Sequence, residues 1–283
     1  MKILVTGANG QLGYDVIREL KLRHIECIGV DMVDFDISDF EQTSDFVLKC
    51  SPDAVIHCAA YTSVDKAEEE PDICNAVNVS GSENIARACN ALNSKLIYVS
   101  TDYVFSGDGS EPFEPDAPKA PLNVYGKSKL NGELAVLENC KKSFIVRTSW
   151  VFGINGNNFV KTMLRLGAEK DSINVVCDQV GSPTYTKDLA VLLCDMVLTE
   201  NYGVYHATNE NYCSWSDFAV KIMELSGLKA YINPITTSEF KAKALRPLNS
   251  RLSKGCLDTA GFKRLPSWDN ALKRYLDELN AIK

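Results

Sequence analysis

The sequence predicts an α/β fold: a doubly wound parallel sheet carrying a smaller C-terminal lobe. Three observations predict it. Short β-branched runs alternate with longer amphipathic segments through the first half of the chain. The runs are apolar on both faces, as strands covered by helices on each side must be. A glycine turn directly after the first run opens a helix, the join at which such folds meet ligands.

The elements follow in order. KILVT (2–6) reads as a strand, then a glycine turn, then a helix from about Gln11 to Leu22. CIGV (27–30) is a second strand, ending at Asp31. Ser38-Asp39-Phe40-Glu41 offers a capping signal for a helix to about Cys50. DAVIHCA (53–59) is a third strand, residues 75–92 form a long helix, and KLIYVS (95–100) is a fourth strand. A helix from Leu122 to Leu137 and a fifth strand, SFIVRTS (143–149), complete the pattern. Right-handed crossovers between such units give a Rossmann-like sheet. After about residue 152 the rhythm loosens around INGNN (154–158). A helix at 187–198 and GVYHATN (203–209) are expected to return to the large sheet. There are no internal repeats, and Glu68-Glu69-Glu70-Pro71 reads as a solvated helix end.

Composition bounds the function. The 283 residues are 45% hydrophobic and 24% charged, ordinary for a globular protein with a real core. The net charge of -7 opposes nucleic-acid binding. No apolar run approaches the roughly 20 residues that span a bilayer, so no membrane partner is expected. MKILVTGANG has no apolar h-region or cleavage site, so a cytoplasmic location is expected. Ten cysteines without a C-x-x-C pair read as free thiols in a reducing compartment. Three scattered histidines (His24, His57, His206) give a metal site or serine–histidine triad little to build on.

Gly7-x-x-Gly10-x-x-Gly13 joins the first strand to the first helix. Glycines there let the backbone turn, approach a pyrophosphate and pack the helix on the sheet. The helix N-terminus then presents free N–H groups and a positive dipole end to phosphates. Asp31, at the end of the next strand, is placed to accept hydrogen bonds from an adenosine ribose. It favours NADH by repelling a 2′-phosphate. Both NADH and NADPH stay open, because cations elsewhere could reach the site. Residues 1–152, with 187–209, are therefore expected to bind a dinucleotide, and 153–283 to form mainly a substrate lobe.

Tyr125-Gly-Lys-Ser-Lys129 opens the helix after the fourth strand. Side chains at i and i+4 share a helical face, bringing a phenol and an ammonium together. A free tyrosine titrates near pH ~10, and a fixed cation would lower that pKa; ~3 units correspond to about 4 kcal/mol. The product is a general acid for a carbonyl oxygen. Ser100 and Thr101 supply a hydroxyl at the end of the preceding strand, able to orient the carbonyl.

The glycine spacing and Tyr-x-x-x-Lys resemble the extended short-chain dehydrogenases. The wider pattern resembles the dTDP-4-dehydrorhamnose reductase family. The matching stretches are VTGANGQLG (5–13), AAYTSVDKAE (59–68), STDYVF (100–105), PLNVYGKSKL (121–130), RTSWVFG (147–153), NNF (157–159), DQVGSPT (178–184) and RPLNSRL (246–252). The resemblance implies reduction of the 4-keto group of a nucleotide-diphosphate sugar, dTDP-4-dehydro-6-deoxy-L-mannose, with Tyr125 giving the proton. It implies that Thr101, which precedes an aspartate, serves in preference to Ser100. It also implies cofactor contacts from Asn9, Gln11, Leu12, Asp36, Ile37, Cys58, Ala59, Ala60, Tyr61 and Asn78. Thr62, Asp102, Tyr103 and Trp150 match positions of the sugar pocket, Trp150 otherwise being an ordinary buried tryptophan. Asn158 and Arg251 match diphosphate donors, with a domain-bridging salt link as the alternative for the arginine.

Dehydratases of this type resemble one another in a Thr-Asp-Glu run. Here the run is Thr101-Asp102-Tyr103, which disfavours elimination. Some members of the family hold Mg²⁺ at a dimer contact. Asp15 fits that position, but Lys187 places a cation at the second one, so neither metal nor that dimer is expected. Monomer and homodimer both remain open. Two other readings stand beside reduction: a nucleotide-sugar epimerase with a retained NAD, and a non-catalytic regulatory subunit of the methionine adenosyltransferase type.

Overall fold

The computed structural model describes residues 1–282. Five strands, β1 (Lys2–Thr6), β2 (Glu26–Val30), β3 (Ala54–His57), β4 (Lys95–Thr101) and β5 (Ser143–Thr148), join a sixth, Gly203–His206, in one sheet. Its order runs Gly203–His206, β5, β4, β3, β1, β2, and every pair is parallel. The chain reverses direction across the sheet between β1 and β3, the switch point where such sheets open a crevice.

Period-two alternation assigns each strand residue to one of two cores. Ile3, Val5, Ile56, Phe144 and Val146 pack on one face with Val16, Leu189 and Leu193. Leu4, Val55, Leu96, Tyr98 and Ile145 pack on the other with Val47, Ile85 and Val136. The first face is covered by helices Gln11–Leu22 and Thr186–Val197, the second by Phe40–Cys50, Gly81–Ala91 and Val124–Asn139. Gly203–His206 pairs in parallel with β5, Val204 opposite Ile145.

A third core lies beyond the sheet, where Phe152, Met163, Ile173, Phe218, Ile222 and Tyr275 meet. It is built by helices Phe159–Glu169, Trp215–Ser226 and Trp268–Ile282 and by the paired strands Ser172–Val176 and Tyr231–Ile235.

Boundaries move where side-chain hydrogen bonds decide them. Asp39, rather than Ser38, caps the second helix by accepting from Gln42 N–H. Asn123 caps the Tyr125 helix by accepting from Gly126 N–H, so that helix runs Val124–Asn139. The long helix expected over 75–92 is broken into a π-helical turn, Ala76–Ser80, and an α-helix, Gly81–Ala91. All ten cysteines are free thiols. Among the described residues no helix is long and apolar enough to cross a membrane.

Candidate active site

A cleft of about 1080 Å³ opens at the C-terminal ends of the strands, between the sheet and the third core. That volume is at the upper end for small-molecule sites and suits a dinucleotide with a second ligand. Of the sequence-predicted residues, Gly7, Asn9, Gly10, Gln11, Leu12, Gly13, Asp31, Asp36, Ile37, Cys58, Ala59 and Ala60 line it. So do Thr62, Thr101, Asp102, Tyr103, Tyr125, Lys129, Trp150 and Asn158. Tyr61, Asn78 and Arg251 do not line it.

The glycine turn is built as its sequence requires. Gly7 has φ +66°, and a Cβ there would fall 2.7 Å from Ala59 N. A Cβ at Gly13 would collide with the Gly7 carbonyl, so helix and turn can pack only without one. Gly10 caps the first helix with no side chain, leaving first-turn N–H groups for a phosphate. Asp31 accepts Asn9 N–H and Met32 N–H, both at 2.9 Å, which holds its carboxylate at the lip of the cleft. This cradle, with its acidic ribose partner, fits a nicotinamide dinucleotide.

Beneath the turn, Thr6 and His57 form a buried pair, Oγ1 to Nδ1 at 2.7 Å. Burial pushes the imidazole pKa down to about 3, so it stays neutral. The Thr6 hydroxyl in turn accepts Ala59 N–H, fixing the backbone of the Cys58-Ala59-Ala60 wall. Burial pushes the Cys58 thiol up to about 12, which makes it an inert lining group.

Asn78 acts from behind that wall. Its Oδ1 accepts Tyr61 N–H at 2.8 Å, and its Nδ2 donates to the Tyr61 carbonyl and to Ser128 Oγ. Tyr61 turns its hydroxyl to Glu70. Both residues therefore shape the loop behind the cleft wall. The π-helical turn that presents Asn78 adds an extra residue to the helix, which helical periodicity does not signal.

At the other end of the cleft, β4 places Ser100 and Thr101 on opposite sides. Ser100 donates to buried Glu133, which is clamped by Arg147 through two hydrogen bonds. Thr101, which borders the cleft as Ser100 does, donates to Asp102 Oδ1 at 3.0 Å and accepts Tyr103 N–H at 3.2 Å. Tyr125 meets Tyr103 edge to face, with centroids 5.5 Å apart. Lys129, 2% exposed, donates to the Val99 carbonyl at 2.8 Å and lies 4.0 Å above the Tyr98 ring.

The electrostatics correct one expectation from the sequence. Burial pushes the Lys129 ammonium down to about 7, against the opposing charge of Glu133. Burial also raises the Tyr125 phenol, with the Thr101 hydroxyl lowering it and the Asp102 charge raising it further. Desolvation thus outweighs the attraction that helical spacing alone suggested. Burial thus holds the Lys129 pKa well below its ordinary value, while the Glu133 charge pulls it back up.

Trp150 has φ +51°, uncommon for a bulky residue, and stacks on Trp215 at 3.7 Å and 12°. It is a half-exposed wall of the cleft and not an ordinary buried tryptophan. Trp215 lines the cleft too, a residue sequence reasoning missed. Its only local signal is the capping box of Ser214 and Asp217, which announces a helix and says nothing of a site.

Of the two expected diphosphate donors, Asn158 lines the cleft and Arg251 does not. Asn158 Nδ2 donates to Gln11 Oε1 at 3.1 Å and to the Gly153 carbonyl at 2.8 Å, leaving no N–H to spare. Arg251 bonds Asn249 Oδ1 and lies beside Tyr212, outside the cleft. Lys129 is the one cation among the lining residues. Asp15 and Lys187 are each neutralised locally, by Arg18 and Glu278.

With this geometry in place, the comparisons with known proteins are specific. The family model described as the RmlD substrate binding domain matches residues 1–281. The chain belongs to that family. Its RmlD-family relatives include the spore coat polysaccharide biosynthesis protein SpsK of Bacillus subtilis strain 168, 42% identical across 98% of this chain and 97% of that protein. The dTDP-4-dehydrorhamnose reductase of Aggregatibacter actinomycetemcomitans is 40% identical across 96% of this chain and 97% of its own length. A crystal structure of dTDP-4-dehydrorhamnose reductase from Bacillus anthracis, in complex with NADP, superposes with a TM-score of 0.96. It is 44% identical and covers 98% of this chain and 99% of that one.

Proposed function

We propose that this member of the RmlD family is an NAD(P)H-dependent oxidoreductase that reduces the 4-keto group of dTDP-4-dehydro-6-deoxy-L-mannose to give dTDP-L-rhamnose. The observation that carries the reading is the meeting of Tyr125, Lys129 and Thr101 in the cleft that the glycine turn opens. Full-length relatives that are themselves dTDP-4-dehydrorhamnose reductases support the substrate.

When bound, the reduced nicotinamide supplies the hydride. Gly7, Gly10 and Gly13 hold the pyrophosphate on backbone N–H groups, and Asp31 accepts the adenosine ribose hydroxyls. Tyr125 gives its proton to the carbonyl oxygen that becomes the new hydroxyl. Thr101 holds that oxygen against Tyr125, and Lys129 orients the cofactor end of the site. Trp150, backed by Trp215, offers a flat apolar face to the deoxysugar. Thr62, Asp102 and Tyr103 complete the pocket.

Two lobes divide the work, residues 1–152 with 187–209 for the dinucleotide and 153–283 mainly for the sugar nucleotide, as the separate cores support. Ten free thiols suit a reducing cytoplasm. The protein works as a monomer or homodimer.

The test is spectrophotometric. Purified protein mixed with reduced nicotinamide and the keto-sugar nucleotide is expected to oxidise the cofactor and release dTDP-L-rhamnose, identified by chromatography. Cofactor that stays reduced under these conditions rejects the assignment.

A further inference from the structure

Asp102 is the buried carboxyl of this site that the reaction above leaves with least to do. Its side chain is 3% exposed and it lines the cleft. Oδ1 accepts the Thr101 hydroxyl at 3.0 Å, but Oδ2 is buried with no hydrogen-bond partner among the described residues. An unpaired, buried oxygen penalises the carboxylate and favours the carboxylic acid. Burial accordingly pushes the pKa up to about 6, with the Ser250 and Thr101 hydroxyls pulling the other way. Ser250 approaches without forming a hydrogen bond to Oδ2.

We propose that Asp102 is the proton reservoir of the active site and restores the proton of Tyr125 through the Thr101 hydroxyl. The inference rests on the reading of Tyr125 as proton donor. Once Tyr125 has protonated the carbonyl oxygen, its phenolate takes the hydroxyl hydrogen of Thr101. Thr101 Oγ1 at the same time takes the acid proton from Asp102 Oδ1. One O–H bond breaks at Asp102 and one at Thr101, while one forms at Thr101 and one at Tyr125. The negative charge ends on Asp102, and no oxidant or reductant enters. The finished state is the hydrogen bond seen in the structure, Thr101 donating to Asp102 Oδ1. Tyr103 N–H holds the Thr101 oxygen in place beside Asp102. Asp102 regains its proton from water in the cleft between turnovers.

The groups facing Asp102 fit this direction of flow. Tyr103 on its own turn and Tyr125 on the opposing helix both have phenols that the Asp102 charge pushes up. A protonated Asp102 therefore makes Tyr125 the better acid before transfer. Ser250, from the strand Asn249–Ser250, brings no charge, and the Arg246 charge acts on Tyr103.

Two measurements test the relay. The first is an infrared titration of the Asp102 carboxyl band in the protein alone, referenced to Asp102→Asn. The second is the kcat profile of the reductase from about pH 5 to about pH 9 for wild type, Asp102→Asn, Thr101→Val and Thr101→Ser. The carboxyl is expected to titrate near pH 6, with wild-type kcat declining as pH rises through that value. Asp102→Asn and Thr101→Val are expected to lose the decline and run about tenfold or more slower, while Thr101→Ser keeps it. A carboxyl titrating near its ordinary value of ~4, or a decline that survives in Asp102→Asn, overturns the relay. Wild type that turns over with a flat profile overturns the relay alone. Wild type that never oxidises the cofactor removes the reductase reading and the relay together.

Discussion

Lys129 donates its ammonium to the Val99 carbonyl at 2.8 Å, tying the Tyr125 helix to the last turn of β4. The lysine is buried there, and burial pushes its pKa down to about 7. A lysine whose folded pKa lies below its unfolded value costs stability wherever the unfolded chain binds the extra proton. Stability therefore rises as pH climbs from about 7 toward the unfolded value of ~10.4. A shift of ~3 units corresponds to roughly 4 kcal/mol across that window. Lys129→Met is expected to flatten the rise and to lose most activity. Denaturant unfolding at a series of pH values, wild type against variant, checks it; parallel curves contradict a lysine whose pKa burial lowers.

Under the proposed function, Asp31 sits where the adenosine ribose would lie. Its carboxylate is fixed by two backbone N–H groups, and no lysine or arginine lines the cleft beside it. A 2′-phosphate placed there meets like charge, so kcat/KM for NADH is expected to exceed that for NADPH by about tenfold, about 1.4 kcal/mol. Asp31→Ala should narrow the ratio. An unchanged ratio would show that the preference is set elsewhere.

Asn158 joins the two halves of the cleft through Gln11 and caps the helix Phe159–Glu169 by accepting Lys161 N–H. Removing a cap of this kind costs about 1 kcal/mol, and the lost bridge adds to it. Asn158→Ala is expected to lower Tm by roughly 3–6 °C, read by calorimetry. A variant that melts like wild type would show that the bridge contributes nothing.

Trp215 stacks on Trp150 at the wall of the cleft. Aromatic stacking of this kind is worth about 0.5–1.5 kcal/mol. Trp215→Ala should raise KM for the sugar nucleotide several-fold while leaving cofactor KM and kcat nearly unchanged. Equal effects on both KM values would place the stack outside the sugar pocket.

The sheet was readable because its strands are short runs apolar on both faces, which need no distant partner to be recognised. The glycine turn and the Tyr125–Lys129 spacing were readable for the same reason: each is a local pattern fixed by backbone geometry. What sequence could not supply depends on packing between distant segments. Gln11 and Asn158 spend their amides on each other across 147 positions, and Trp215 reaches the cleft only because two lobes close on it. Arg251 carries the right chemistry for a diphosphate, yet its backbone position turns it toward Asn249. The spacing predicts a lowered Tyr125 pKa where burial raises it, because spacing reveals a neighbour's charge and not how much water burial removes.

Replacing Tyr125 by phenylalanine removes one hydroxyl and little else. Stopped-flow absorbance of the reduced nicotinamide band, with the keto-sugar nucleotide at saturation, measures the consequence directly. A fall in rate of about 100-fold or more, with cofactor affinity preserved, is the predicted result. A variant that oxidises the cofactor at the wild-type rate contradicts the account.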